Sequence, residues 1–136
     1  MAKILVTGAC GLIGEKICSG LLKRDNNEII GTDTRSSEYN EGKERYRFVK
    51  AGSRDRAVFE DLFKTEKIDI VVHCAYTADN DLKDIITEED IKESAIYDDY
   101  FYTLAASSDI KKFLLISTSQ VYDFPKSREP IRETDK

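Results

Sequence analysis

Metal-binding side chains are scarce in this chain of 136 residues. His73 is the only histidine, and the three cysteines, Cys10, Cys18 and Cys74, lack the spacing of a zinc site. We therefore expect no bound metal. An odd number of cysteines without a pairing framework is typical of a protein in a reducing compartment.

Concentrated positive charge and long apolar runs are also missing. The net charge is −5 and no basic block occurs, which argues against nucleic acid or an anionic membrane as the main partner. The apolar start of the chain is interrupted by Glu15 and Lys16, so it is not typical of a signal peptide or a membrane span. No repeat or linker divides the chain. These features predict a cytoplasmic protein with one domain over residues 1–136.

Short apolar runs alternate with longer segments of helical period. The runs are rich in Ile and Val, as is typical of strands buried on both faces, and they occupy residues 3–7, 28–33, 46–50, 69–75 and 112–118. Strands joined by helices predict an α/β fold, a doubly wound parallel sheet of about five strands with helices on both faces.

Apolar residues recur at three- or four-residue spacing between these runs, which predicts the connecting helices. The first helix is indicated by Ile13, Ile17 and Leu21, and the second by Val58, Leu62 and Phe63. Thr87, with Asp90 three residues later, indicates the start of a third helix. Its apolar stripe consists of Ile91, Ala95, Ile96, Phe101, Leu104 and Ala105.

The strongest chemical signal is TGACGLIG, from Thr7 to Gly14, between the first predicted strand and the first helix. Its three glycines let the backbone turn tightly and approach a ligand, and the positive end of the helix that begins near Leu12 suits a pyrophosphate. Asp33 ends the second strand nineteen residues after Gly14, where a carboxylate can accept hydrogen bonds from ribose hydroxyls. The pattern predicts a Rossmann-like dinucleotide site. The alternative is a glycine-lined turn without a ligand.

Three motifs in this order resemble the extended short-chain dehydrogenase/reductases of the NAD-dependent nucleotide-sugar epimerase and dehydratase type. Thr7 to Gly14 matches the TGxxGxxG motif of that family. VVHCAY (71–76) is similar to the His-x-Ala-Ala motif of its fourth strand, and LLISTSQVYDF (114–124) is similar to its Ser-Ser/Thr-x-x-Val-Tyr-Gly segment. The resemblance covers essentially the whole chain, but only the N-terminal portion of a typical member. The substrate-binding half is therefore expected to be absent.

The resemblance implies roles for particular residues. The cofactor-binding residues that it implies are Thr7, Gly8, Cys10, Gly11, Leu12, Ile13, Gly14, Asp33, Cys74 and Ala75. Thr118 falls where the family keeps a catalytic Ser or Thr that hydrogen-bonds the reacting substrate oxygen; the alternative is a hydroxyl that caps the strand end. His73 is interpreted as a packed core residue. Cys10 is interpreted as a small filler, with a reactive thiol near the helix start as the alternative.

The cofactor expected from the resemblance is NAD rather than NADP, and the expected substrate is a nucleotide-linked sugar. Asp33 disfavours a 2′-phosphate because both groups carry negative charge, although Arg35 could offset part of that repulsion. We also expect a homo-oligomer. Helices that precede the fifth strand commonly pair across dimers in the family, and an uncovered edge on that strand would invite pairing.

The chain departs from the family pattern at several positions. Gly52 stands where members usually have an Asp that reaches the adenine, and SAIYD (94–98) replaces an Asn-Val-x-Gly signature. Ser119 and Gln120 replace the Asp-Glu pair of sugar 4,6-dehydratases, which favours epimerase or reductase chemistry over dehydration.

The stretch YDFPK, Tyr122 to Lys126, has the Tyr-x-x-x-Lys spacing of the family's acid/base pair. Pro125 disfavours helix at Phe124, so we interpret the spacing as a coincidence. In the family the pair lies further along, which here would be beyond Lys136. Two functions remain open: the cofactor-binding portion of an oxidoreductase that is inactive alone, and a non-catalytic dinucleotide-binding module.

Overall fold

The computed structural model describes residues 1–24, 26–36, 38, 42–52, 54–75, 87–117 and 132. Strands and helices alternate along most of these residues. In chain order they are β1 (Lys3–Thr7), α1 (Leu12–Lys23), β2 (Glu28–Asp33), β3 (Tyr46–Lys50), α2 (Arg56–Thr65), β4 (Ile70–His73), α3 (Glu88–Ala106) and β5 (Lys112–Leu115).

The five strands form one parallel sheet in the order β3-β2-β1-β4-β5. The chain moves outward from β1 to β3, and then returns to place β4 on the other side of β1. Thr7 at the end of β1 is in register with Thr32 of β2 and with His73 of β4. The strand order therefore reverses beside the carboxyl end of β1, which is where doubly wound sheets bind their ligands.

Successive residues of the central strands face opposite sides of the sheet, and both sides are covered by helices. Beneath α2 and α3 lies a core cluster of Leu5, Ile30, Ala51, Phe59, Leu62, Ile68, Val71 and Phe101. Beneath α1 lies a second cluster of Ile4, Val6, Ala9, Cys18, Ile29 and Val72. Neighbouring residues such as Val71 and Val72 thus belong to different clusters, as the two-residue period of a strand requires. The predicted α/β fold with helices on both faces is confirmed.

The first three strands and the start of α1 have the predicted bounds, whereas β4 and β5 are shorter than their apolar runs. Two predicted apolar stripes are only partly buried. Ile13 is exposed because the first turn of α1 begins at the carboxyl edge of the sheet, while Ile17 and Leu21 pack against the core. On α3, Phe101 and Ala105 are buried, but Ile91 and Ile96 are exposed. The predicted apolar stripe of α3 is thus buried in its C-terminal half and exposed in its N-terminal half.

Candidate dinucleotide-binding site

The turn after β1 is shaped by two close backbone approaches. Gly8 has a φ of +66°, and a Cβ placed on it would lie 2.8 Å from the amide nitrogen of Ala75. A Cβ on Gly14 would collide with the carbonyl oxygen of Gly8. The Gly8 peptide is thus held between the end of β4 and the first turn of α1, and neither contact leaves room for a side chain.

The first turn of α1 lies directly above this loop. Gly11 is the N-cap residue in extended conformation, and no side chain caps the helix there. The first amides of a helix lack intrahelical partners and carry the positive end of the helix dipole, so an anion is favoured at this position. Leu12 and Ile13 project into solvent beside it, with exposed fractions of 80% and 52%. The loop therefore offers amides to a phosphate and apolar surface next to it.

Asp33 ties the loop to the end of β2. Its Oδ2 accepts a hydrogen bond from the Cys10 amide at 3.0 Å, and its Oδ1 accepts one from the Arg35 amide at 3.1 Å. Oδ1 also accepts from the Thr34 hydroxyl at 3.5 Å, whereas Oδ2 can accept a second hydrogen bond, which suits a ribose hydroxyl. The Arg35 guanidinium Nε lies 3.9 Å from Oδ1. Asp33 thus orders the loop as well as facing the predicted ribose position, a role that sequence reasoning missed.

The three cysteines form no disulfide and lie in different surroundings. Burial raises the pKa of Cys18 to about 12 and that of Cys74 to about 11, so neither is a ready thiolate. The Cys10 thiol donates to the carbonyl of Arg35 at 3.2 Å. This bond adds a second link between the loop and the segment after β2.

Thr7 connects β1 to the end of β4. It is almost fully buried, and its Oγ1 accepts a hydrogen bond from the Ala75 amide at 3.2 Å. The Cys74 amide donates to the Thr7 carbonyl at 3.2 Å. The predicted cofactor residues Cys74 and Ala75 are therefore brought against the glycine loop by backbone contacts.

His73 is buried, as predicted, and its ring stacks on Phe101 with a centroid separation of 4.7 Å. The ring also has two polar contacts: Nδ1 lies 2.7 Å from Thr7 Oγ1, and Nε2 lies 3.2 Å from Asp98 Oδ1. Sequence reasoning missed Asp98. The available signal was the histidine itself, because a buried polar side chain needs hydrogen-bond partners.

The departures from the family pattern have structural correlates. The Gly52 amide donates to Asp55 Oδ2 at 2.8 Å, and a Cβ on Gly52 would lie 2.5 Å from the methyl carbon of Thr34. A side chain at position 52 would therefore require Thr34 to move. Ser94 is buried on the inner face of α3, and the Tyr97 hydroxyl donates to Glu93 at 3.4 Å.

The predicted catalytic residue Thr118, the Ser119-Gln120 pair and the stretch YDFPK lie outside the described residues. The spacing Tyr-x-x-x-Lys occurs three times in the sequence, also at Tyr39–Lys43 and Tyr46–Lys50. The last pair lies on β3, where residues four apart are about 13 Å from each other. Burial raises the pKa of Tyr46, which is opposite to what an acid/base tyrosine requires. The spacing alone is therefore not informative in this chain.

Among the residues that the structure describes, no group of three or more His, Cys, Asp or Glu side chains could hold a metal ion. Within the same ranges, no helix combines the length and apolar character that a bilayer crossing requires.

Comparison with known proteins places this site in a family. The sequence profile of the NAD dependent epimerase/dehydratase family matches residues 4–136. A dTDP-D-glucose 4,6-dehydratase of Dictyostelium discoideum is 37% identical over 132 residues, covering 88% of this chain and 30% of that protein. A dTDP-glucose 4,6-dehydratase of Escherichia coli is 30% identical over 150 residues, covering 97% of this chain and 41% of that protein. The chain thus spans less than half the length of these relatives.

Solved structures give the same result. The epimerase Mth375 of Methanothermobacter thermautotrophicus superposes with a TM-score of 0.75 and 26% identity, over 98% of this chain and 40% of that one. A UDP-glucose 4-epimerase of Bifidobacterium longum in complex with NAD⁺ and UDP superposes with a TM-score of 0.71 and 25% identity, over 98% and 42%. The predicted resemblance and the predicted family cofactor, NAD, are confirmed, and the chain belongs to the NAD dependent epimerase/dehydratase family.

Proposed function

We propose that this chain is the NAD-binding portion of an epimerase or reductase that acts on a nucleotide-linked sugar. The observation that carries the proposal is the close packing of the loop after β1. Gly8 is held between Ala75 and Gly14, and Asp33 accepts a hydrogen bond from the Cys10 amide. This arrangement leaves the uncapped end of α1 facing the loop, where a pyrophosphate fits. The remaining acceptor capacity of Asp33 suits the hydroxyls of an adenosine ribose.

The same geometry supports NAD over NADP. A 2′-phosphate would approach a carboxylate that is already fixed by two amides and is largely buried, so the negative charge cannot move away. Arg35 is half-exposed and lies close enough to offset part of this repulsion. We expect tighter binding of NAD than of NADP, with Asp33 and Arg35 acting in opposite directions.

Calorimetric titration with both cofactors tests this preference. NAD at 100 times its Kd should also stabilise the fold by about 2.7 kcal/mol. Arg35→Ala should widen the preference for NAD. Asp33→Asn should narrow it and also weaken NAD, because an amide side chain has one oxygen instead of two to accept from the loop. Tighter binding of NADP by the unaltered chain would refute the assignment.

We propose a role for Thr118 in the chemistry of the whole enzyme. Bound NAD supplies a hydride acceptor and donor at the substrate carbon. The Thr118 hydroxyl would hold the sugar oxygen in place, as the family's motif implies, while a tyrosine and lysine outside this chain would move its proton. Ser119 and Gln120 offer no acid and base for elimination, so we propose epimerisation or reduction although the cited sequence relatives are dehydratases.

On this proposal the 136-residue chain binds NAD but turns over no nucleotide-sugar. Acid–base assistance contributes about 10²–10⁴-fold, and the absence of a substrate half removes positioning as well. Chromatography after incubation with UDP- and dTDP-linked sugars should therefore show no new epimer, and oxidation of NADH in their presence should stay at background. Turnover that disappears in Tyr122→Phe would show instead that YDFPK is the acid/base pair.

The second candidate function is a non-catalytic NAD-binding module. The observation that favours it is at Gly52, where family members usually have an Asp that reaches the adenine. The methyl group of Thr34 occupies the space that such a side chain would need, which is a departure from the usual cofactor site. The coding sequence downstream of Lys136 separates the two candidates. A further Tyr-x-x-x-Lys in a helical segment supports the enzyme, and a stop codon supports the module.

A further inference from the structure

The His73 side chain links three elements of the fold. It lies at the end of β4, its Nδ1 faces Thr7 of β1, and its Nε2 faces Asp98 of α3. The ring is about 5% exposed, whereas the Asp98 side chain is about half-exposed. The other described groups packed against the ring are Phe101 of α3 and Phe113 of β5, both aromatic. Among these contacts of the His73 ring, Asp98 is therefore the one with a charged side chain.

For a neutral His73 ring, the hydrogen-bond partners allow one arrangement of protons in this group. An ionised carboxylate only accepts, so Nε2 must carry the hydrogen that Asp98 receives. In a neutral ring Nδ1 is then an acceptor, and the Thr7 hydroxyl donates to it. Thr7 Oγ1 in turn accepts from the Ala75 amide. The opposite tautomer would place the Nε2 lone pair against the carboxylate at 3.2 Å.

The end of this series of hydrogen bonds lies beneath the dinucleotide loop. The Ala75 amide, which donates to Thr7 Oγ1, is also the group that would lie 2.8 Å from a Cβ placed on Gly8. If the Thr7 side chain rotated, Oγ1 would no longer accept the hydrogen bond from the Ala75 amide. The Ala75 peptide, which lies against the turn at Gly8, would then be held less firmly. Asp98 is thus connected to the loop through two buried side chains.

We propose that Asp98 and His73 are positioning residues for the dinucleotide loop. The carboxylate on α3 selects the Nε2–H tautomer of His73, and the ring orients the Thr7 hydroxyl that holds the Ala75 amide beneath Gly8. The position of α3 and the affinity of the loop for NAD are consequently coupled, and the coupling is reciprocal. The binding part of this proposal rests on the proposed NAD function; the tautomer and the order of the loop do not.

The tautomer is directly measurable because His73 is the only histidine. Long-range proton–nitrogen-15 NMR spectra of the unliganded chain should contain one imidazole pattern, that of the Nε2–H form. Asp98→Ala should convert it to a mixture of tautomers, while Asp98→Asn should keep it, since the amide oxygen still accepts from Nε2–H. Asp99→Ala is the matched control: Asp99 is the next residue on α3, has the same side chain and is exposed. An Nδ1–H tautomer in the unaltered chain would overturn the proposal.

The functional readout is the Kd for NAD. Loss of one partner in the network should raise it roughly three- to tenfold in Asp98→Ala and leave it within about twofold in Asp99→Ala. Thr7→Val should bind more weakly than Asp98→Ala, and Thr7→Ser should restore most of the loss because the hydroxyl remains. An Asp98→Ala variant with unchanged tautomer and unchanged Kd would contradict the proposal.

Failure of the proposed function has a different signature. If the unaltered chain binds no NAD, the cofactor assignment is wrong, and the positioning role is then judged on the unliganded chain. Amide hydrogen exchange at Gly8 and Ala75 should be faster in Asp98→Ala than in Asp99→Ala. Equal exchange rates in the two variants would reject the positioning role.

Discussion

The β1–α1–β2 unit and the β4–α3–β5 unit use their apolar side chains differently. In the first unit, β1 and β2 are buried except for their first residues. In the second, β5 is the last strand of the described sheet and is mostly exposed. The exposed large apolar residues of the second unit are Ile91, Ile96, Tyr102, Leu114, Leu115 and Ile116. In the first unit the strands are thus covered and the exposed Leu12 and Ile13 lie beside the loop, whereas the second unit leaves a strand and part of a helix face exposed.

The difference between inner and outer faces of α3 gives the largest expected effect. Phe101 is buried and contacts Phe59 and His73, so Phe101→Ala should destabilise the fold by about 3–5 kcal/mol. Ile96 is on the same helix but 60% exposed, and Ile96→Ala should change stability by less than about 0.5 kcal/mol. Urea unfolding measures both. Equal losses would show that the outer face of α3 is buried in solution.

Two glycines of α1 should respond differently to substitution by alanine: Gly14 lies against the loop, and Gly20 lies away from it. Gly14→Ala should cost about 1–3 kcal/mol and abolish NAD binding, because its Cβ would collide with the Gly8 carbonyl. Gly20→Ala meets nothing within 4 Å and should stabilise the helix by about 0.5–1 kcal/mol. Urea unfolding and NAD titration of both variants provide the measurement. Unimpaired NAD binding by Gly14→Ala would mean that the loop is not the cofactor site.

Self-association should depend on the second unit. We predict that the chain forms homo-oligomers through α3 and the edge of β5, where Leu115 is 60% exposed. Leu115→Lys should weaken association about tenfold, which corresponds to loss of one buried apolar side chain. Leu12→Ser removes an even more exposed leucine from the first unit and should have no effect. Sedimentation over a concentration series distinguishes them, and a monomer at the highest concentration would refute the prediction.

The smallest expected effect comes from the ion pairs that Glu66 forms with Lys3, at the start of β1, and with Arg47 of β3. The hydrogen bond from Lys3 lowers the pKa of Glu66, and Arg47 adds to this. A lowered pKa means that the stabilisation is present above the ordinary value of 4.5 and is lost as pH falls through the folded value. Glu66 correspondingly raises the pKa of Lys3, so the pair also weakens at alkaline pH as the lysine loses its proton.

Glu66→Gln should therefore cost at most about 1 kcal/mol at pH 7, and the difference from the unaltered chain should shrink as the pH falls through the lowered pKa of Glu66. Thermal unfolding across this pH range measures the effect. Glu89→Gln, on the exposed surface of α3, should show no such pH dependence. A pH-independent loss in Glu66→Gln would indicate a packing role instead of an ionic one.

Local rules were sufficient for the first unit. Short apolar runs predicted the bounds of β1 and β2, as well as those of the neighbouring β3, and the glycine motif predicted both the loop and a helix that begins near Leu12. These features depend on residues close in the sequence, because a turn that needs positive φ or close backbone approach requires glycine wherever the chain folds. The position of Asp33 at the end of β2 also followed from a short-range feature, its distance along the chain from Gly14. Its hydrogen bonds to the Cys10 and Arg35 amides were not predicted.

The second unit was predicted less completely. Thr87 correctly indicated the start of α3 at Glu88, and the periodicity of the helix correctly placed Phe101 and Ala105 on one face. The exposure of Ile91 and Ile96 could not be predicted in this way. Periodicity indicates which residues share a face of the helix, but not whether a neighbouring element covers that face.

The sequence by itself thus determined the class of fold, the position of the glycine loop and the family. Only the tertiary structure decided which apolar faces are covered and which side chains surround His73. Thr7 and Asp98 are 66 and 25 residues away from it along the chain, and they meet it because β1, β4 and α3 pack together. A hydrogen bond between such distant residues depends on the register of the strands and the rotation of the helix, and short-range patterns carry no information on either.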